Sequence, residues 1–287
     1  MVEHTPTVQD RPGQVLALLE EDGQWRSGED ISRLLGISRA AVGKHVASLR
    51  TRGHAIESLT RRGYKLLIKN DPLDAPAVQA HLQTRRFGRH TWRTLQETAS
   101  TNNVAVSLAM EGAGEGLVVF AEKQSQGQGR KGKAWFSAPR GLQFSLVLRP
   151  EMSAERLEWL HAIGVIAVVE AVEDLSGLRA EAKIPNDVLL RGKKAAGVLA
   201  VTGYRAEEPD WAVLGIGCNV NALAEEFPQE LRGKATSVLA EGAGPLSRAA
   251  LLAAILNRLE YWYDSLASKG LQPVRDMWRE RAGFEEQ

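Results

Sequence analysis

SRAAVGKHVASLR, from Ser38 to Arg50, decides the N-terminal fold. Ser38 can cap a helix that runs to about Arg50. Val42, Val46 and Leu49 share one face of it, whereas Arg39, Ala40, Gly43 and Lys44 lie elsewhere. Just upstream, Gly36 sits at a tight turn. Before that, Ser27 has Asp30 three residues on, a capping-box-like start for a helix through Leu35. Gln14 to Glu20 reads as a further short helix. Helix, glycine turn, helix is a helix-turn-helix pattern, and small residues on the free face let the second helix sit deep in a DNA major groove. Downstream, HAIESLTRRGYKLL alternates around Arg61-Arg62-Gly63, the pattern of a β-hairpin wing. Between Ser38 and Lys69 there are eight Lys/Arg and one acid, Glu57. A basic helix surface also suits a merely solvated face. The capped helix, turn, second helix and basic hairpin together favour phosphate contacts. The candidate DNA-binding residues are Ser38, Arg39, Ala40, Ala41, Lys44 and His45.

Further along, NDPLDAP (Asn70 to Pro76) reads as a linker, with two prolines and two aspartates interrupting regular structure. It divides the chain into 1–70 and 71–287. Beyond it, apolar β-rich runs occur at Leu117–Ala121, Phe144–Leu148, Val188–Leu190, Gly197–Thr202 and Trp211–Cys218. Helices are expected at about Ala154–Leu175 and Leu246–Ala267. Connections as short as RGKK (Arg191–Lys194) suggest hairpins. The expected fold class is α+β, a mixed sheet with helices on one face rather than a doubly wound parallel sheet.

The bulk composition bounds the chemistry. With 287 residues, 44% of them apolar, and a net charge of +1, the chain suits two globular domains, and any nucleic-acid site must come from local clustering. The single cysteine, Cys218, excludes an internal disulfide framework and a Cys-rich zinc site, and fits a reducing cytoplasm. MVEHTPTVQDRPG lacks a secretory pattern. No apolar run approaches the roughly 18 residues of a membrane span, and there is no internal repeat. The six histidines, His4, His45, His54, His81, His90 and His161, have no ligand spacing.

SQGQGRKGKAWFS, Ser125 to Ser137, is the chemically richest stretch. Glycines alternate with Arg130, Lys131 and Lys133, and no acid occurs from Lys123 to Pro150. Exposed N–H groups beside uncompensated cations suit an anion. The run is no P-loop, since no Ser or Thr follows the lysine, and a mobile surface loop is the plain alternative. KIPNDVLL places Lys183 where it could meet a phosphate and Asp187 where it could hold Mg²⁺; an ordinary turn reads equally well. VLGIGCNVN ends a buried strand at Asn219, which either reads a purine edge or caps the strand. ETASTNN offers Ser100, Thr101 and Asn102 as pocket-lining groups, as a helix N-cap, or as both.

The order of these pieces resembles a family. A helix-turn-helix is followed by STN, QSQGQGRKGKAWFS, KIPND, KAAGVL and GIGCN. This order, from about Gln14 to the C-terminus, resembles that of the bacterial biotin protein ligases that double as biotin operon repressors. The resemblance implies a winged helix-turn-helix domain followed by a mixed-sheet, class II synthetase-like catalytic domain. It also implies that ATP and biotin give biotinyl-5′-AMP, whose acyl group passes to a lysine of the biotin carboxyl carrier protein of acetyl-CoA carboxylase. It further implies that the acyl-adenylate acts as corepressor, favouring a homodimer on operator DNA. Carried over, the biotin set is Ser100, Thr101, Asn102, Gln124, Gln128, Gly129, Arg130 and Lys194. The ATP and adenylate set is Lys131, Gly132, Lys133, Trp135, Asn186 and Asn219. Arg130 and Lys183 are the candidate catalytic cations, and Asp187 the Mg²⁺ ligand. No protein nucleophile is required, and a lid over the mixed anhydride keeps water out.

Four positions depart from the family pattern. Gln128 replaces an arginine, Ile184 a tryptophan, Ala195 a leucine and Val201 a glutamate. The family's C-terminal SH3-like domain is expected to be missing, since the sequence ends at Gln287, which implies weaker ATP cover. A binding-only regulator with weak or lost ligase activity is the alternative function, and a lipoate- or octanoate-type ligase a further one.

Overall fold

A computed structural model describes residues 10–21, 23–70 and 73–282. The chain divides into two compact units, Met1–Asp71 and Pro72–Gln287. His4, Asp71 and Pro72 of the expected linker, and residues 283–287 lie outside the described residues.

In the first unit, α1 (Arg11–Glu20), α2 (Gly28–Leu35) and α3 (Arg39–Thr51) precede a hairpin of β1 (Ala55–Leu59) and β2 (Gly63–Ile68). Both expected caps form. Ser27 Oγ accepts from Asp30 N at 3.0 Å and Ser38 Oγ from Ala41 N at 3.2 Å. Gly36 ends α2 at φ 64°, a left-handed angle that costs glycine little. Val15, Leu19, Ile31, Val42, Val46, Leu49 and Ile56 bury together, so the apolar stripe of α3 faces this core. Arg26 extends the hairpin by exchanging backbone hydrogen bonds of 2.9 and 2.8 Å with Tyr64.

The second unit begins with α4 (Ala75–Gln79). The expected linker is therefore partly helical: Asp74 caps α4 by accepting from Ala77 N at 2.9 Å, and Pro76 sits in the first turn, where its missing N–H costs nothing. Next come β3 (Trp92–Thr98), α5 (Thr101–Met110), β4 (Val118–Gln124), β5 (Leu142–Leu148), α6 (Ala154–Leu157) and α7 (Leu160–Ser176). They are followed by β6 (Ala180–Lys183), β7 (Asp187–Leu190), β8 (Lys193–Arg205), β9 (Glu208–Cys218), α8 (Arg248–Lys269) and α9 (Gln272–Arg281). The seven-stranded sheet has the order β3-β4-β5-β9-β8-β7-β6. Only β3 and β4, joined through α5, run parallel; the other pairs are antiparallel. A mixed sheet with hairpins results, and Arg191 and Gly192, at φ 47° and 77°, form the β7–β8 turn as the right-handed twist of paired strands prefers.

Three sequence expectations are corrected. Helices cover both faces, not one. Val118, Phe120, Leu146 and Leu214 pack with α7 and α8, while Val119, Val147 and Val213 face Ala105 and Ala109 of α5, because alternate strand residues point to opposite sides. The helix expected over Ala154–Leu175 is broken at Trp159, whose ψ of 0° is not helical. The strands β3 and β6 escape a search for apolar alternation: WRTLQET is an edge strand with mostly exposed side chains, and AEAK is four residues of low β preference. Among the described residues no helix is long and apolar enough to cross a membrane.

Candidate functional site

A cavity of about 320 Å³ opens on the α5 face of the sheet. At one end, Thr101 and Asn102 begin α5 directly after β3, so ETASTNN both starts a helix and lines a pocket. Gln124, the last residue of β4, accepts at Oε1 from Thr101 N (2.7 Å) and Thr101 Oγ1 (3.0 Å). Ser145 donates through Oγ to Thr101 Oγ1 at 2.8 Å or to Asn102 Oδ1 at 2.6 Å. Gly215 makes this network possible, since a Cβ there would lie 1.8 Å from Asn102 Oδ1.

The basic loop forms the other wall. Its limbs are tied as a short hairpin: Trp135 N donates to Gly127 O at 2.7 Å and Gly129 N to Lys133 O at 2.6 Å. Gln128, Gly129, Arg130, Lys131, Lys133 and Trp135 all line the cavity. The Trp135 indole lies over Gly217, where a Cβ would come within 2.4 Å of Cε2. Lys194 Nζ stands 5.5 Å from the indole centroid and 2.6 Å from Asp187 Oδ1, an ion pair without hydrogen-bond geometry. Arg130 acts on His161 of α7, whose pKa is held below the ordinary imidazole value by burial first and by the Arg130 charge second.

Asn186 and Asp187 also line the cavity. The Asn186 amide is anchored, donating from Nδ2 to Val198 O at 2.6 Å. Four expected site residues stand off the lining. Ser100 is buried at the N-cap of α5. Gly132 occupies the loop tip at φ 73° with open space around it. Lys183 is exposed at the end of β6, directly across from Asp187. Asn219 follows β9, buried, its Nδ2 donating to Thr236 O at 2.9 Å and its Oδ1 without a partner. Of the departures from the family pattern, Gln128 lines the cavity, Ile184 is exposed, Ala195 is buried and Val201 stands at 36% exposure. Sequence reasoning missed Ser145, Gly197, Gly215 and Gly217. Their signals were Ser145, one of two polar residues in LQFSLVL, and glycines within the apolar runs of β8 and β9, which mark close approach.

In the first unit, Arg39, Ala40 and Lys44 are exposed on α3, Ser38 caps it, and Ala41 and His45 are half-buried. Arg50 buttresses the wing, donating from Nε and Nη2 to Ile56 O at 3.0 and 2.7 Å. Acids from outside the basic stretch offset part of it: Arg39 lies 3.7 Å from Glu29, Arg52 3.7 Å from Asp10 and Lys69 2.7 Å from Glu20. The exposed pairs are worth little in water.

Comparison with known proteins gives consistent matches. Residues 81–219 match the biotin/lipoate A/B protein ligase family and residues 11–65 an HTH domain family. A bifunctional ligase/repressor BirA from Bacillus spizizenii is 34% identical over 258 residues, 89% of this chain and 79% of that protein. The BirA of Salmonella typhimurium is 29% identical over 95% of this chain and 83% of its own length. Among solved structures, a biotin protein ligase from Aquifex aeolicus in complex with biotin and ATP superposes with a TM-score of 0.59 and 27% identity, covering 68% of this chain and 79% of that one.

Proposed function

We propose a function from the premise that this chain belongs to the family of bifunctional ligase/repressors BirA, whose catalytic part is of the biotin/lipoate A/B protein ligase type. The protein is a biotin protein ligase and a DNA-binding repressor. In our assignment, Thr101, Asn102 and Gln124 hold the ureido ring of biotin, with Ser100 shaping the helix start behind them. Lys194 meets the biotin carboxylate. Arg130, Lys131 and Lys133 meet the phosphates, Gly129 and Gly132 letting the loop backbone approach, and Gln128 stands beside them as a neutral contact. Trp135, Asn186 and Asn219 bound the adenosine side. Lys183, across from Asp187, serves the outer phosphates.

A carboxylate oxygen attacks the α-phosphorus of ATP, the bond to the bridging oxygen breaks, and pyrophosphate leaves with that electron pair. The acceptor lysine amine of a biotin carboxyl carrier protein then attacks the acyl carbon. AMP leaves and the ammonium proton passes to solvent. Both partners of the first step are anions, so cations aimed at the transferring phosphate supply most of the stabilisation. The Lys194–Asp187 pair keeps the two groups neutralised until biotin's carboxylate takes Lys194. Mg²⁺ fits this donor set. Asp187 is the single carboxylate on the cavity wall among the described residues, and one carboxylate suits a cation held chiefly by phosphate and water. When bound, it would draw negative charge off the triphosphate.

The observation that carries the reading is the convergence, in one cavity, of a hydrogen-bonded polar network, a basic loop and the Lys194–Asp187 pair. Incubation with biotin, ATP, Mg²⁺ and a purified carrier domain, followed by avidin blotting, tests it. A biotinylated carrier is expected; absence of both carrier label and adenylate would sink the ligase assignment. For the first unit, we assign operator contacts to Ser38, Arg39, Ala40, Ala41, Lys44 and His45, with biotinyl-5′-AMP favouring the DNA-binding homodimer in the cytoplasm. Lys44→Ala is expected to weaken operator binding and lower its salt slope by about 1; a gel shift indifferent to the change argues against this helix facing the groove.

A further inference from the structure

Besides Asp187 Oδ1, which is ion-paired with Lys194, three buried polar groups near the cavity have no hydrogen-bond partner: Trp135 Nε1, Asn219 Oδ1, and both amide atoms of Gln143. Gln143 is the most telling, because it is 1% exposed near the start of the fully buried strand β5. An amide buried with neither donor nor acceptor used costs stability, and native proteins keep few such groups.

Its position follows from strand register. Gln143 pairs with Gly217 and Ser145 with Gly215, and directly opposed residues of an antiparallel pair share a face. Gln143 therefore lies on the face that carries the Ser145–Asn102 network and the Trp135 indole. It sits two residues along β5 from Ser145, roughly 7 Å, toward the end where β9 runs into Asn219. Its amide leans further that way: Nε2 lies 2.5 Å from the place a Cβ on Gly141 would take. The face thus has an order. The satisfied network stands at Gly215, the Trp135 ring and Lys194 at Gly217 and Gly197, and the unpartnered Gln143 amide and Asn219 Oδ1 toward the far end.

We infer that Gln143 reads the base of the nucleotide, its amide donating to a ring nitrogen of adenine and accepting from the 6-amino group. This deepens, and rests on, the ligase assignment above, in which the biotin ring fills the Ser145 end and the nucleotide the other. One amide meeting one acceptor and one donor in a plane is the bidentate pairing by which Gln recognises adenine elsewhere. The indole of Trp135, over Gly217, covers that level of the face, so the nucleotide reaches Gln143 once the indole moves.

The test uses the full chain carrying Gln143→Leu, which removes the amide but keeps apolar bulk. Adenylate formation is measured against ATP, GTP and purine riboside triphosphate, which lacks the 6-amino group, and biotin affinity is measured by calorimetry without nucleotide. The expected result is a tenfold to hundredfold rise in the KM for ATP, of the order of one lost bidentate pair. The preference for ATP over purine riboside triphosphate should collapse, and biotin affinity should stay unchanged. A merely structural amide would leave nucleotide preference alone while the melting temperature moved. Unaltered ATP kinetics, or a loss of biotin affinity at constant ATP KM, overturns the inference while leaving the ligase assignment standing. Failure of the unsubstituted protein to form adenylate from any nucleotide instead strikes the ligase assignment itself.

Discussion

The two ends of the cavity are built by opposite means. At one end Thr101, Asn102, Gln124 and Ser145 bond to one another on a helix start and two strands. At the other, the side chains of Arg130, Lys131 and Lys133 make no hydrogen bond or ion pair among the described residues, and all three are exposed on a hairpin loop. The first end is preorganised, so a ligand there loses little affinity to ordering the protein. The second holds charge in reserve: its cations gain partners only when phosphate arrives. The contrast suits a two-step ligase, in which the small acid binds to a rigid seat and the charged intermediate brings its own cover.

The sharpest way to break this comparison is to spoil the rigid end. Gly215→Val places a branched side chain where even a Cβ would lie 1.8 Å from Asn102 Oδ1. Overpacking of about 1–3 kcal/mol predicts a loss of biotin affinity of up to about a hundredfold in calorimetry, with Gly215→Ala intermediate. Undiminished affinity in both variants would show that the network is not the biotin seat. Next in size is Arg130→Gly. Losing one cation aimed at the transferring phosphate is expected to slow adenylation by about 10²-fold, while biotin affinity falls far less. The acyl-adenylate that does form should escape and label bystander albumin on an avidin blot. Selectivity for the carrier that survives the substitution refutes the lid role.

The same contrast explains what was legible in the sequence. The loop announced itself through composition, because glycines and cations cluster where nothing packs. The capped helices of the first unit were equally plain, since Ser27, Gly36 and Ser38 act locally. The rigid seat was hard to read because its parts come from β4, α5, β5 and β9, brought together by sheet order. Ser145 and Gly215 have meaning only once β5 and β9 are paired. Lys183 and Asn219 illustrate the converse. Each stands in a distinctive motif, yet register and burial keep both off the cavity lining.

A smaller effect tests Gln128, on the cavity wall at a position where the family resemblance leads one to expect arginine. Gln128→Arg adds an exposed cation, worth about 0.2–1 kcal/mol. ATP affinity should therefore rise by up to about fivefold, with a steeper salt dependence and unchanged biotin affinity. An effect on biotin but not ATP would move the boundary between the two ends.

The smallest expected effect is also the most direct report on the loop. His161 is kept below the ordinary imidazole value by burial and, second, by the positive charge of Arg130, while the Glu158 backbone and carboxylate pull the other way. Neutralising or withdrawing Arg130 must raise the His161 pKa. An NMR titration should therefore show an upward shift in unliganded Arg130→Gly. It should show one again in the unsubstituted protein on adding a non-hydrolysable biotinyl-adenylate analogue, as Arg130 turns to the phosphate. The same analogue should add little in the variant, whose charge is already gone. Stability follows the sign. A folded-state pKa below the unfolded value means that the unfolded chain binds the proton more readily. His161 therefore costs stability as the pH falls below the ordinary imidazole range, and the variant should lose less there. A His161 resonance unmoved by the analogue would mean that Arg130 keeps its place beside α7, and that the exposed cations of the loop are held rather than in reserve.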